Sequence, residues 1–187
     1  MTSIAIPDLT RELVEQLELH WSEHLRPKLD GLTDEEYFWE PVAGCWNVRP
    51  RAEASAPAAD YSGTHVADYE FPEPDPAPVT TIAWRLAHVI VGVLGERNAA
   101  HFGGSAIDYE THLYAADAAT ALAQLDDAYE RWVGGIRSLG ERLVTPVGPA
   151  EGPYADRQYI TLVLHIHREV IHHGAEILLL RDLYRNR

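Results

Sequence analysis

Apolar side chains recur along this chain at three- and four-residue steps, the period of an α-helix with one buried face. Leu13, Leu17, Trp21 and Leu25 form the first such stripe, and Asp8 or Thr10 stands where an N-cap is needed. The spacing predicts a helix from about Asp8 that Pro27 ends or bends. Thr33 and Glu36 bracket a capping box, in which each is expected to satisfy the other's backbone donor. It would start a short helix carrying Tyr37, Phe38 and Trp39. Pro41 opens a long connection reaching to about Val79, rich in Pro, Ala and Asp. Its first part, PVAGCWNVRP, is expected to pack on the domain, and Arg51 to Asp60 is expected to be mobile. Short β-prone pieces near 46–48 and 147 could pair.

A second helix is predicted from about Thr80 to His101. It is apolar on nearly every side, so it should be the most buried. A third spans about Asp117 to Val144, with Leu122, Leu125, Tyr129, Trp132, Ile136, Leu139 and Leu143 in one stripe. Gly134, Gly135 and Gly140 weaken it locally. The fourth runs from Tyr159 to Tyr184. Four long amphipathic segments without convincing strands predict an all-α fold, a four-helix bundle with a long connection between helices 1 and 2. The bundle is expected to be one domain over residues 1–187, with 51–79 as a long loop.

The fourth helix carries the chemistry. Four of the ten histidines, His165, His167, His172 and His173, fall within it, and Glu169 stands between them. His165, Glu169 and His173 follow at i, i+4 and i+8, so they share one stripe, which His172 and Glu176 border. The rest of the segment is apolar: Leu162, Val163, Ile166, Val170 and Ile177 among others. Burying polar groups unpaired costs roughly 2–7 kcal/mol each. A metal held by neutral imidazole and carboxylate would satisfy them, with zinc among the ions accepting this ligand set. The second helix offers His88 in its apolar middle. A histidine on one helix and an i, i+4 pair on another can converge on one ion, so His88, Glu169 and His173 are the candidate metal ligands. A core hydrogen-bonding role for His88 is the plainer alternative. His165 is a fourth ligand, a second partner or a proton-transfer group; His167 should face away from the stripe. His20 and His24 read as surface or rim residues. Cys45, with no histidine near it in sequence, reads as packed rather than nucleophilic.

A net charge of −14 argues against nucleic-acid or anionic-membrane partners, which want a basic surface. One cysteine excludes an intramolecular disulfide and suggests a cytoplasmic protein. The first residues, MTSIAIPDLT, lack a basic start and a long apolar run, so no secretory signal is expected. No apolar run approaches the ~18 residues of a membrane span.

Three stretches carry a family resemblance: LRPKLDGLTDEEYFWEPVAGCWNVRP at 25–50, TIAWRLAHVIVGVLGERNAAHFGG at 81–104, and LHIHREVIHHGAEILLLRDLY at 164–184. The chain resembles the DinB/YfiT-like superfamily of small bacterial metalloenzymes. The resemblance implies a four-helix bundle, often a homodimer. It also implies a divalent metal, zinc or nickel, held by His88 and by the last-helix pair Glu169 and His173. Many members have histidine where this chain has Glu169. The carboxylate is similar to the branch of mycothiol-dependent maleylpyruvate isomerases. The function so implied is a transferase or isomerase using a low-molecular-weight thiol such as mycothiol, acting on a small-molecule substrate. Metal-bound water attacking an amide or ester is a variant. His165 and His172 would move protons, and Arg85, one turn before His88, would hold an anionic group. The alternatives are a non-enzymatic, stress-related bundle with a structural metal, or a metal-free buried polar network.

Overall fold

In a computed structural model, residues 8–54 and 62–187 are described. Asp8 caps α1 (Leu9–Leu19) through its carboxylate, which accepts from Arg11 N at 3.2 Å. The helix does not stop at Leu19. It widens into a π-helical stretch (His20–Leu25) and closes through a 3₁₀ turn (Arg26–Leu29) that contains Pro27. Thr33 then caps α2 (Asp34–Tyr37), accepting from Glu36 N at 3.3 Å.

The capping box is only half made among the described residues. The Glu36 side chain turns inward to Arg181 at 2.8 Å, where both groups are buried, so no reciprocal bond to Thr33 forms. A buried charge takes an opposite charge before a backbone donor.

The long connection is not bare loop. β1 (Val48–Pro50) pairs antiparallel with β2 (His65–Ala67), with Val48 opposite Ala67 and Pro50 opposite His65. Position 147 is therefore not the partner of 46–48. Trp46 bridges Thr80 instead, and Pro146 bridges Gln158. As expected, PVAGCWNVRP packs down: Cys45, Asn47 and Val48 are buried. The Asn47 amide nitrogen donates to Phe38 O at 3.0 Å, and its oxygen accepts from Val48 N at 2.9 Å and from Thr81 Oγ1 at 2.8 Å. Of the stretch expected to be mobile, Arg51–Glu53 forms a 3₁₀ turn, and positions 55–60 lie outside the described residues.

Thr81, so anchored, caps α3 (Ile82–His88) by accepting from Trp84 N at 3.2 Å. A second π-helical stretch (Val89–Gly95) follows, then α4 (Glu96–Phe102). Together they are the predicted second helix, and it is apolar and buried as expected: Leu86, Val91 and Leu94 expose nothing. Asp117 caps α5 (Ala118–Arg137), and a 3₁₀ stretch (Gly140–Val144) takes up the rest of the predicted third helix. Gly140, at φ +49°, marks the break. α6 (Tyr159–Arg185) is the longest element. α1 and α3 both pack on α5 and on α6, which makes the chain a mostly helical, all-α structure with a minor two-stranded sheet. The α5 stripe from Leu122 to Leu143 is buried along its length. No described helix is long and apolar enough to cross a membrane.

Candidate metal centre

The α3 and α6 rods bring His88 and His173 together, with ring centroids 4.7 Å apart and planes nearly perpendicular. Each ring is held from its Nδ1 side. His88 Nδ1 meets the Tyr109 hydroxyl at 2.7 Å. His173 Nδ1 meets Glu176 Oε2 at 2.8 Å, and the same carboxylate oxygen is gripped by Arg85. Arg85 NH1 also lies 3.2 Å from His173 Nδ1. A guanidinium only donates, so the shorter carboxylate contact fixes His173 with its proton on Nδ1. His173 then presents an unprotonated Nε2, as outer partners impose on metal-ligating histidines, while the Tyr109 hydroxyl, able to donate or accept, holds the His88 ring without choosing its tautomer.

On the Nε2 side of His173 stands Glu169. Its Oε2 is 3.7 Å from His173 Nε2, beyond hydrogen-bond reach. Its Oε1 faces His165 Nδ1 and Arg168 Nε, both at 3.4 Å. Among the described residues, His88 is hydrogen-bonded through Nδ1 and not through Nε2. The His88 and His173 rings meet and Glu169 lines a cavity with His88, so two imidazoles and a carboxylate gather here, although among the described residues their ligand atoms do not form a group within 4.8 Å of one another. Burial, then the proximity of His173 and Arg85, lowers the His88 pKa to about 4, keeping the ring neutral and able to ligate near pH 7. Trp84 stacks on His88 with centroids 5.5 Å apart, while its indole N–H donates to Asp68 O at 2.8 Å. The connection between helices 1 and 2 thus braces the ring from behind.

A second grouping lies alongside. His172, His173 and Glu176 present ligand atoms within 4.8 Å of one another. Glu176, however, is already engaged by Arg85 and by His173 Nδ1, and His172 is exposed. Both Glu176 contacts hold the His173 ring from its Nδ1 side.

His165 is exposed, with Nδ1 2.6 Å from Arg168 NH2, and it lines a cavity of about 310 Å³ together with His88, Glu169, Tyr109, Glu96 and Arg97. His172 is exposed as well, its Nε2 3.4 Å from Glu176 Oε1. His20 and His24 lie on the π-helical stretch of the first rod, centroids 6.2 Å apart, and among the described residues no bond or ring contact joins them to His88 or His173. His167 does face elsewhere: it is buried against Trp132, with no partner for Nε2 among the described residues, and burial lowers its pKa to about 4. Cys45 is buried, its thiol donating to Val42 O at 2.9 Å.

Sequence reasoning missed Tyr109 altogether and gave Glu176 no role. Glu176 was findable, since it stands i+3 from His173 on the same face. Tyr109 comes from the irregular segment after α4 and carries no periodic signal. Gly92 explains how it reaches His88: any Cβ there would overlap the Tyr109 hydroxyl.

The family model described as the DinB superfamily matches residues 16–177, which include every side chain of this centre. No curated protein and no solved structure matches the chain.

Proposed function

The chain belongs to the DinB superfamily, and from that premise we propose that it is a metal-dependent enzyme whose divalent ion, zinc or nickel, is held by His88, Glu169 and His173. The observation that carries this reading is the pair of anchored imidazoles, His88 on Tyr109 and His173 on Glu176, whose rings lie 4.7 Å apart with Glu169 beside them. Three protein ligands leave a position for an exogenous group, as in catalytic zinc sites. A bound divalent cation supplies a positive charge that stabilises a coordinated thiolate, so a low-molecular-weight thiol such as mycothiol would lose its proton at neutral pH. His165 and His172, both exposed beside the ligands, take and return that proton. The Arg85 donors not spent on Glu176 orient an anionic group of the thiol or substrate. The reaction is then S-transfer, in which the thiolate sulfur bonds to an electrophilic carbon as that carbon's leaving group departs with its electron pair, or a thiol-assisted isomerisation in which sulfur adds to an unsaturated carbon and later departs as thiolate. Exposed Ile171 and Leu179 on α6 favour a homodimer.

The test is elemental analysis of untagged protein beside His88→Ala and His173→Ala. One ion per chain, lost in both variants together with thiol-transfer activity, is the expected result. Full activity in a metal-free variant would overturn the scheme. A metal-free polar network is the second reading, favoured by the Arg85–Glu176–His173 chain of contacts. It predicts no uptake of zinc or nickel on dialysis.

A further inference from the structure

A second cavity, of about 600 Å³, adjoins the centre and shares Arg97 and His165 with the smaller one. Its lining runs against the charge of the whole chain. The protein carries −14, yet this wall gathers Arg97, Arg157 and Arg168 against one carboxylate, Glu151. That carboxylate is occupied: Oε1 lies 2.8 Å from His101 Nε2, buried beneath it, and 3.7 Å from Arg97 Nε. The cations are unevenly served: Arg97 NH1 donates to Glu96 Oε2 at 2.8 Å and to Gly92 O at 2.6 Å, and Arg168 Nε reaches Glu169 Oε1 at 3.4 Å. The Arg157 side chain makes no hydrogen bond or ion pair among the described residues, and Arg97 Nε is buried without a hydrogen-bond partner among them. The cavity also takes in Thr161, in the first turn of the 27-residue α6, whose N-cap Gln158 offers no side-chain bond. That end of a long helix is its positive end; Tyr159 N and Thr161 N are taken by Thr145 O at 3.1 Å and Gln158 O at 2.9 Å, so it contributes its dipole more than free donors. Leu162, Leu164 and Val147 supply the apolar remainder.

We propose that this cavity is a subsite for a small organic anion, a carboxylate or phosphate ester with an apolar body, whose head meets Arg157, Arg168 and the start of α6 while its body lies on Leu162 and Leu164. Guanidinium forks and helix N-termini are the two protein features best matched to such heads. Shared walls at Arg97 and His165 connect the subsite to the side of Glu169, so the anion is the electrophilic substrate or the tail of the thiol in the reaction proposed above. The role rests on that reading; the binding does not.

The experiment is calorimetric titration of the chelator-treated full chain with hexanoate, hexyl phosphate and neutral hexanamide. Hexanoate or hexyl phosphate should bind saturably and at least about tenfold tighter than hexanamide, since hydrogen bonds to charged groups are the stronger ones. The tighter of the two anions identifies the head group. Arg157→Gln and Arg168→Gln should each weaken it about tenfold. Arg11→Gln, the same charge change on α1, should leave it unaltered. Equal affinity for hexanamide, or indifference to both cavity arginines, would overturn the subsite. His173→Ala separates the two proposals: it should keep anion binding while losing metal.

Discussion

Tyr109 and Glu176 each occupy the Nδ1 of a histidine, which leaves its Nε2 as the nitrogen free to ligate. Tyr109→Phe and Glu176→Gln should each lower metal affinity by about 10–100-fold, read by competition with a chromophoric chelator, with the fold unchanged. Unaltered affinity in both would remove them from the site. Gly92→Ala should act on metal like Tyr109→Phe, because the added methyl displaces the same hydroxyl. His167 makes a different prediction. Its folded pKa, about 4, lies below its ordinary 6.5, so the unfolded chain binds more protons between those values. Stability is therefore lost as pH falls from about 6.5 towards 4, on the order of 3 kcal/mol for this one group. Urea midpoints at pH 7 and pH 4.5 should diverge less in His167→Leu than in the parent, and equal losses would acquit the residue. At this scale the sequence was legible where helical spacing sets the neighbour. The meeting of His88 with His173 was foreseeable because two helix faces had to meet. That of His88 with Tyr109 was not, since it depends on an irregular segment and on a missing Cβ across from it.

The elements are joined by one buried cation. Arg181, on the last turns of α6, bonds Glu36 at 2.8 Å, Asp30 O at 2.9 Å and Lys28 O, tying the longest helix to the end of the first rod and to α2. Arg181→Met leaves the buried Glu36 with only the half-exposed Arg185, 4.0 Å away, and should cost about 3 kcal/mol in urea unfolding. Adding Glu36→Leu should restore part of that loss; a double variant as weak as the single one would refute the pairing account. Helix positions were readable because buried stripes at three- and four-residue steps match a helix face and match no strand, as Leu122 to Leu143 illustrate. The capping box misled because its motif is local, whereas Glu36 is spoken for by a residue 145 positions away. The β1–β2 pairing escaped for a related reason. Three-residue strands carry too little alternation to distinguish 65–67 from 147 as a partner.

At the scale of the molecule, an acidic chain holds a local basic wall, and an all-α structure leaves an apolar row facing water. Ile171 and Leu179 are each more than two-fifths exposed. If two copies meet there, Ile171→Glu with Leu179→Glu should halve the mass seen by sedimentation while metal content persists. A parent protein that sediments as a monomer would dispose of the dimer. Composition anticipated the absence of a described helix able to span a membrane, but not the gathering of Arg97, Arg157 and Arg168. Net charge is a sum, and the fold decides where its minority sign collects.

The π-helical stretch after His88 sets the phase of the binding face. A π turn is what remains when an α-helix holds one residue more than its hydrogen-bond ladder can absorb. Each residue advances an α-helix by about 100°, so the surplus rotates everything beyond it by that amount. Counted as plain α-helix, Glu96 would sit about 80° around from His88, and Gly95 would lie almost directly over it. With the surplus carried between Val89 and Gly95, Glu96 and Arg97 instead come round to line the cavity that His88 lines. The wall is thus built from two lengths of helix that are out of phase in the sequence and in phase in space. Losing a single residue there would restore a plain α-helix with Glu96 seven places from His88 and still on its side, whereas gaining α-helical hydrogen bonds without that loss would swing both walls away.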